Sequence, residues 1–538
     1  MEEETLDPWC NPEEPRVVQF EQISAAAYRV REGIVRTPCD RSHLSEESGM
    51  EIFLKKDYMQ YTGSFKERGA RYSLIQLDPK QKKKGVISAS AGNHAQDMAY
   101  HGGQLGIPVT VVMPVIAPIM KIENCKKYGA NVVIQGQNMG ESKAYALKLG
   151  KERGLLYING FDHPNILVGQ GTMGLEILEQ VPDVDAVVIP VGGGGLLAGC
   201  AVALKTMKPD IKIIGVEPEL CPSFTNAMKA GHPVKTPTEP SLADGLTVPT
   251  VGVNALATAA PYMDRMVTVS EEWIAISILR LVEMEKAVVE GGGAAGVAAI
   301  LAGLLPDLRG KKVVVPLCGG NIDTTILGRC LERGLAADGR LVKFTVTVSD
   351  RPGGIAELAK TLCNCGVSIK DMVHERAWIK NDIFSVEVKV LAETRNHRHT
   401  SQMVRILREK YDMRVKGKHD EELDDDFGDD EAVGLTNGYM VSNSLSEPDN
   451  NTFAGHVVED DSESDTESED DEAHMSENVL SDLDVDKTQD SGWDESQGSD
   501  IKSRKFNAPL PKPTLTPIIT IEPPTEKRIS RGSRKSKH

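Results

Sequence analysis

Four short segments hold the residue types that do chemistry. In Gly63-Ser64-Phe65-Lys66-Glu67-Arg68-Gly69-Ala70 a lysine follows a small, polar turn and opens a helical pattern. A free lysine amine is mostly protonated and a poor nucleophile, and burial or capture as an imine by an aldehyde removes that obstacle. In the second segment, the apolar run Asp185–Val191 enters Gly192-Gly193-Gly194-Gly195 and then a helix from Leu196. Bare backbone N–H groups at a helix start make an anion site, and side chains there would hold a phosphate away. No Gly-Lys-Ser/Thr follows, which excludes a Walker loop, and no ribose-binding acid stands at the distance a dinucleotide fold needs. In the third, the strand pattern Lys312–Leu317 ends at Cys318-Gly319-Gly320, where a neutral thiol can hydrogen-bond a ring nitrogen. In the fourth, Val86–Ser90 reads as a strand and Ala91-Gly92-Asn93-His94 as a turn into a helix. Its amides suit a carboxylate, and the Asn93 amide suits a phenolic oxygen. Singly, each segment has a plain reading: a surface lysine, a flexible turn, a structural thiol and an Asx turn.

Together, in this order, they resemble the fold-type II pyridoxal phosphate (PLP) enzymes, specifically the threonine/serine dehydratase (threonine ammonia-lyase) branch, over about residues 20–335. Further pieces keep the family's order: Arg36-Thr37-Pro38, Leu54-Lys55-Lys56-Asp57, Gly169-Gln170-Gly171-Thr172, Gly215-Val216-Glu217-Pro218 and Val289-Glu290-Gly291. The resemblance implies that Lys66 carries the cofactor as an imine and acts as the catalytic base. It implies that Phe65 and Asn93 contact the ring, that Gly192, Gly193, Gly194, Gly195 and Leu196 hold the phosphate, and that Cys318 faces the pyridine nitrogen. Ser90, Gly92, Asn93 and His94 are then the substrate-carboxylate pocket. The implied reaction is β-elimination of water from L-threonine or L-serine, giving 2-oxobutanoate or pyruvate and ammonia.

Related activities separate on single residues. Glu67 and the Ala-Gly-Asn-His loop differ from the threonine synthase pattern. Serine racemase needs a second acid/base, a Ser just before the Gly-Asn, and here that position is Ala91, whose methyl group moves no proton. The racemase cation pattern is incomplete, with Glu217 present but Ser223 six residues on, so no metal site is expected. The alternatives are serine racemase and a pseudoenzyme scaffold acting through its tail.

Strand patterns at 52–57, 85–90, 108–113, 131–135, 186–191, 211–216, 266–270 and 313–317 alternate with helical stretches, the mark of a parallel-sheet α/β fold. Ligands in such folds sit at the carboxyl ends of strands, where three of the four segments fall. The resemblance implies a tryptophan synthase β-like catalytic region, 1–340, with a small mobile domain at about 85–162 inserted in a larger one. Trp273 and Ile274–Leu281 recur at helical spacing and read as core.

A second unit, 341–418, reads βαββαβ, a ferredoxin-like order. Its strands are expected at Leu341–Ser349, Val367–Glu375, Ile383–Val390 and Met413–Lys416, its helices at Ile355–Cys365 and Thr400–Lys410, with a turn at Lys380–Asp382. Asp350-Arg351-Pro352-Gly353-Gly354 before a helix resembles the ACT domain, which implies either an amino-acid effector site or a purely structural, oligomer-forming role.

The chain has 538 residues and a formal net charge of −18. The charge is uneven: 420–500 carries about 29 acids and one Lys, 501–538 about 10 bases and 2 acids. The catalytic region is therefore near neutral, without a basic patch for nucleic acid. Residues 419–538, acidic and then basic and Pro-rich, have too few apolar groups to offset ordering entropy and are expected to be disordered. No apolar run is long enough to cross a membrane. Nine scattered cysteines and an acidic N-terminus point to a reduced, cytoplasmic protein, the ferredoxin-like unit is expected to pair with its copy in a homo-oligomer, and the resemblance implies a small amino-acid substrate.

Overall fold

The computed structural model describes residues 7–376 and 383–416. Ten strands form the first part of the chain: β1 (Cys39–Arg41), β2 (Glu51–Lys55), β3 (Val86–Ala89), β4 (Val109–Met113), β5 (Asn131–Ile134), β6 (Leu156–Tyr157), β7 (Ala186–Pro190), β8 (Lys212–Pro218), β9 (Arg265–Val269) and β10 (Lys312–Pro316). One six-stranded sheet runs β1-β2-β10-β7-β8-β9 and a separate four-stranded sheet runs β5-β4-β3-β6. All pairings are parallel except β1 with β2. The sequence explains the central strands. Ala186-Val187-Val188-Ile189-Pro190 is buried at every position, as expected of a parallel strand covered on both faces.

Helices cover the sheets. Ile274, Ile278 and Leu281 of the helix Glu271–Glu285 are buried in the core on one face of the large sheet, with Trp273 packed against it. That core also takes the whole helix Gly291–Leu301, whose small residues let it lie close to the strands. On the other face Gly195–Met207 packs with Leu167, Met173 and Ile177 of the helix Pro164–Gln180.

The chain then builds β11 (Leu341–Ser349), the helix Gly354–Asn364, β12 (Ser368–Glu375), β13 (Ser385–Glu393), the helix His397–Arg408 and β14 (Asp412–Lys416). The antiparallel order β12-β13-β11-β14 is the ferredoxin-like arrangement. Val386, Val388, Val390 and Ala392 alternate inward along β13 and meet Phe344, Leu358, Met403 and Leu407 in a core of their own.

The eight expected strands of the catalytic region are all present, with ends shifted by one or two residues. Asp57 is the exception, because it sits in a short 3-10 turn after β2, where an ionic contact holds it. Strands β1 and β6 were not foreseen, being three and two residues long and too short to show a period. The expected turn at Lys380–Asp382 and the tail 419–538 lie outside the described residues.

Candidate active site

Lys66 is the first residue of the helix Lys66–Ile75. The turn before it is sewn to the Cys318 turn: Phe65 N–H donates to the Cys318 carbonyl at 2.9 Å, Gly320 N–H to the Gly63 carbonyl at 2.9 Å, and Ser64 bridges Gly319. The Lys66 Nζ lies 6.0 Å from the centroid of the Phe65 ring. Burial pushes the amine below the usual lysine range, against the opposing pull of Glu290.

An ionic anchor lies under this helix. Arg68 binds Asp57 and Glu176, and Lys55 Nζ joins Glu176 at 2.6 Å and the Thr37 carbonyl at 2.7 Å. The Lys55 and Arg68 side chains have no exposed surface, and each is paired, as a buried charge must be.

The glycine loop follows β7. Gly194 takes φ +94, and the helix begins at Gly195. A Cβ would collide here, at Gly193 with the Phe161 ring at 2.2 Å and at Gly195 with the Phe161 carbonyl at 2.5 Å. The loop is a bare-backbone cradle at the start of a 13-residue helix, which suits a phosphate.

Asn93 opens the helix Asn93–Leu105 at the end of β3. Its Nδ2 donates to Glu290 Oε1 at 2.7 Å, and its Oδ1 accepts from Asn321 Nδ2 at 3.0 Å. Asn321 also donates to the Thr62 carbonyl at 2.7 Å, so the Asn93 amide is held in one orientation with its second N–H to spare. Burial raises the Glu290 carboxyl above its ordinary range, with Asp244 adding to it. Burial likewise keeps the Cys318 thiol protonated, and its Sγ donates to the Pro316 carbonyl at 3.6 Å.

Phe65, Lys66, Asn93, Gly192, Gly193, Gly194, Gly195, Leu196 and Cys318 line one cavity. Ser90, Gly92 and His94 do not line it. They sit beside it at the asparagine turn, where Gly92 N–H donates to Ser90 Oγ at 3.3 Å. His94 is buried with both ring nitrogens unpartnered, and burial with Lys66 nearby lowers it to about 3, so it is neutral.

Glu290, Gln170 and Phe161 also line the cavity, though sequence reasoning gave them no role. Glu290 and Gln170 stand inside the Val-Glu-Gly and Gly-Gln-Gly-Thr pieces, which was the available signal. Phe161 carries none. Glu217 accepts the N–H groups of Phe224 and Thr225 at 2.9 and 3.0 Å, so it is engaged at the start of the helix Ser223–Ala230. Among the described residues no cluster of metal-ligating side chains occurs.

These residues fit PLP. The cradle matches a phosphate, the amine is desolvated, and a neutral thiol and a fixed amide stand on the same cavity. The sheets and the site together define a PLP enzyme of fold-type II. A family model described as "Pyridoxal-phosphate dependent enzyme" matches residues 30–319, and the chain belongs to this family. It is 40% identical over 403 residues to the L-threonine ammonia-lyase of Thermotoga maritima, covering 74% of this chain and 100% of that protein. A Geobacter sulfurreducens L-threonine ammonia-lyase is 40% identical over 389 residues, covering 72% and 96%. Among solved structures, the processed form of threonine deaminase isoform 2 from Solanum lycopersicum is 34% identical with a TM-score of 0.56, covering 61% of this chain and 99% of that one. Maize serine racemase is 30% identical with a TM-score of 0.56, covering 60% and 99%.

Proposed function

We propose that this chain is a PLP-dependent threonine/serine ammonia-lyase, releasing 2-oxobutanoate and ammonia from L-threonine and pyruvate and ammonia from L-serine. The observation that carries the reading is the single cavity shared by Lys66, Asn93, Cys318 and the Gly192–Leu196 loop. The full-length similarity to proteins named L-threonine ammonia-lyase supports it.

Bound PLP supplies an aldehyde for the substrate amine and a conjugated ring that takes up charge from the α-carbon. The loop Gly192–Leu196 would hold its phosphate, Phe65 and Asn93 its ring, and Cys318 its pyridine nitrogen. The substrate carboxylate sits on the turn Ser90, Gly92, Asn93 and His94, at the N-terminus of a 13-residue helix. Lys66 Nζ, whose hold on a proton burial weakens, takes the α-proton. The β-hydroxyl takes up a proton and leaves as water, balanced by the α-proton that Lys66 removes. The resulting enamine is hydrolysed, so one water leaves, one enters, and nitrogen departs as ammonia. Cys318, as a neutral thiol, would give the ring nitrogen no charged partner, which would favour closely coupled loss of the α-proton and the β-oxygen.

Similarity to serine racemases raises that second reading, and the Ala91 methyl opposes it. A pseudoenzyme scaffold is opposed by the complete cavity. We further propose a catalytic region 1–340 with 85–162 as its small mobile domain, an ACT-like domain 341–418, and a tail 419–538 that takes no part in the chemistry. The assembly is a cytoplasmic homo-oligomer, and the ACT-like domain either takes an amino-acid effector at the Asp350–Gly354 turn or serves assembly alone.

The deciding experiment incubates purified, PLP-loaded protein with L-threonine and L-serine and measures 2-oxobutanoate and pyruvate. Release of both is expected, and its abolition in Lys66→Ala. A silent wild type overturns the reading.

A further inference from the structure

Under the turn that carries Lys66 lies a buried chain of polar groups for which the reaction above has no use. Asp97, on the helix Asn93–Leu105, is fully buried, as are Glu67 and His101. Thr62 Oγ1 lies 2.7 Å from Glu67 Oε1 and is also in hydrogen-bond contact with Asp97 Oδ1. A threonine hydroxyl has one hydrogen and can donate to one of them.

The remaining contacts tell which carboxyl holds the missing proton. Glu67 already collects the Thr62 backbone N–H on Oε1 and faces His101 Nε2 from Oε2 at 3.0 Å. Nδ1 of that buried ring has no partner, which fits a neutral imidazole with its hydrogen on Nε2. Asp97 Oδ2 faces Ser64 Oγ at 2.9 Å, and Ser64 in turn accepts the Lys66 backbone N–H at 3.1 Å.

We infer that Asp97 is a positioning residue for Lys66 and acts as a neutral carboxylic acid, donating to Thr62 and accepting from Ser64. With its proton, every contact from Lys66 N–H through Ser64, Asp97 and Thr62 to Glu67 holds one hydrogen. Without it, two bare carboxylate oxygens share one hydroxyl, and two like charges occupy one buried site. Burial and the Glu67 charge push Asp97 well above the usual carboxylate range, in agreement. The groups facing it are Glu67 and Lys66 on the lysine helix, Cys125 and Tyr128 across from it, and His101 on its own helix, reached through Glu67.

The sign of the pH effect follows. A carboxyl whose folded pKa is raised adds stability below its ordinary range, and that stability is lost as pH rises through the raised value. Asp97→Asn supplies a permanent N–H for Thr62 and a carbonyl for Ser64. In the PLP-loaded protein it should keep kcat within about threefold, while Asp97→Ala should lower kcat by about tenfold or more with a smaller change in KM. The Tm of the wild type should fall relative to that of Asp97→Asn as pH rises above the ordinary carboxylate range. Asp97→Asn as damaging as Asp97→Ala, or a Tm difference flat with pH, overturns the inference. The kcat arm rests on the proposed lyase reading. The Tm arm does not, so a protein silent on threonine and serine refutes that reading and leaves this one tested. If Asp97→Ala does not fold, the Tm profile of Asp97→Asn decides alone.

Discussion

Arg68 stands two residues beyond Lys66 and grips Asp57 through two parallel bonds, Nε to Oδ2 at 2.7 Å and Nη2 to Oδ1 at 2.8 Å. Both side chains are wholly buried, and Glu176 takes the outer side of the same guanidinium at 2.7 Å. The planar fork thereby ties the first turn of the lysine helix to the end of β2 and to the helix Pro164–Gln180.

Removing Arg68 strips Asp57 of its direct ion-pair partner and leaves Glu176 with Lys55 alone. Arg68→Met should cost about 3–5 kcal/mol in urea unfolding, because an unpaired buried carboxylate remains. The Arg68 charge also holds Asp57 below its ordinary range. A depressed carboxyl contributes stability above its unfolded pKa and loses it as pH falls through the folded one. Wild type should therefore lose stability on acidification more steeply than Arg68→Met. Equal acid profiles of the two would show that the pair contributes little.

Gly194 tests the cradle. It holds φ +94, and a Cβ there would meet the Phe224 ring at 2.6 Å and Ala255 at 3.2 Å. Strain of about 1–3 kcal/mol at such a position should appear as displacement of the loop's N–H groups. PLP titration of Gly194→Ala should give a Kd raised about tenfold or more, while Gly231→Ala, at a positive-φ glycine with open space around it, should leave PLP affinity unchanged.

The strands were legible because parallel strands covered on both faces leave uninterrupted β-branched runs such as Val313-Val314-Val315. The glycine loop, the asparagine turn and the thiol were legible because each follows such a run at its carboxyl end, and the lysine because it stands between a small, polar turn and a helical pattern. The partnerships were not. Glu290 reads as one acid before a glycine, yet it meets Asn93 across 197 residues. Asp97 has the spacing of an ordinary helix acid, and nothing in its neighbours reveals that Thr62 and Ser64 fold back onto it. Such contacts depend on two sheets coming together, which no local pattern encodes.

Ala91 bears on reaction outcome. It is half-buried at the turn before Asn93, and its methyl offers no proton to the second face of the α-carbon. Wild type acting on L-serine should form pyruvate with D-serine below about one part in a hundred, read by chiral chromatography. Ala91→Ser should raise that fraction. Comparable rates of D-serine and pyruvate formation in the wild type would reassign the enzyme.

The contact from Asn93 Nδ2 to Glu290 gives the last test. Glu290 is buried, lines the cavity and receives the Asn93 amide at 2.7 Å, while Gly319 packs so close that a Cβ would sit 2.5 Å from Oε1. A carboxamide can still accept through its oxygen, so Glu290→Gln keeps the contact and removes only the charge. Glu290→Leu leaves a buried amide N–H unmatched, which costs about 1–3 kcal/mol and frees Asn93 to turn out of its present orientation. If Glu290 orients Asn93, Glu290→Gln should retain kcat/KM within about fivefold and Glu290→Leu should lose at least about tenfold, with weaker PLP binding by titration. If its ionisation matters instead, both should lose activity alike and Glu290→Gln should flatten the pH profile. Burial raises the Glu290 carboxyl, so any such dependence lies above the ordinary carboxylate range, with the protonated form favoured on the acid side. Equal losses in the two variants, with PLP affinity intact, would therefore assign Glu290 a part in proton transfer rather than in holding the asparagine.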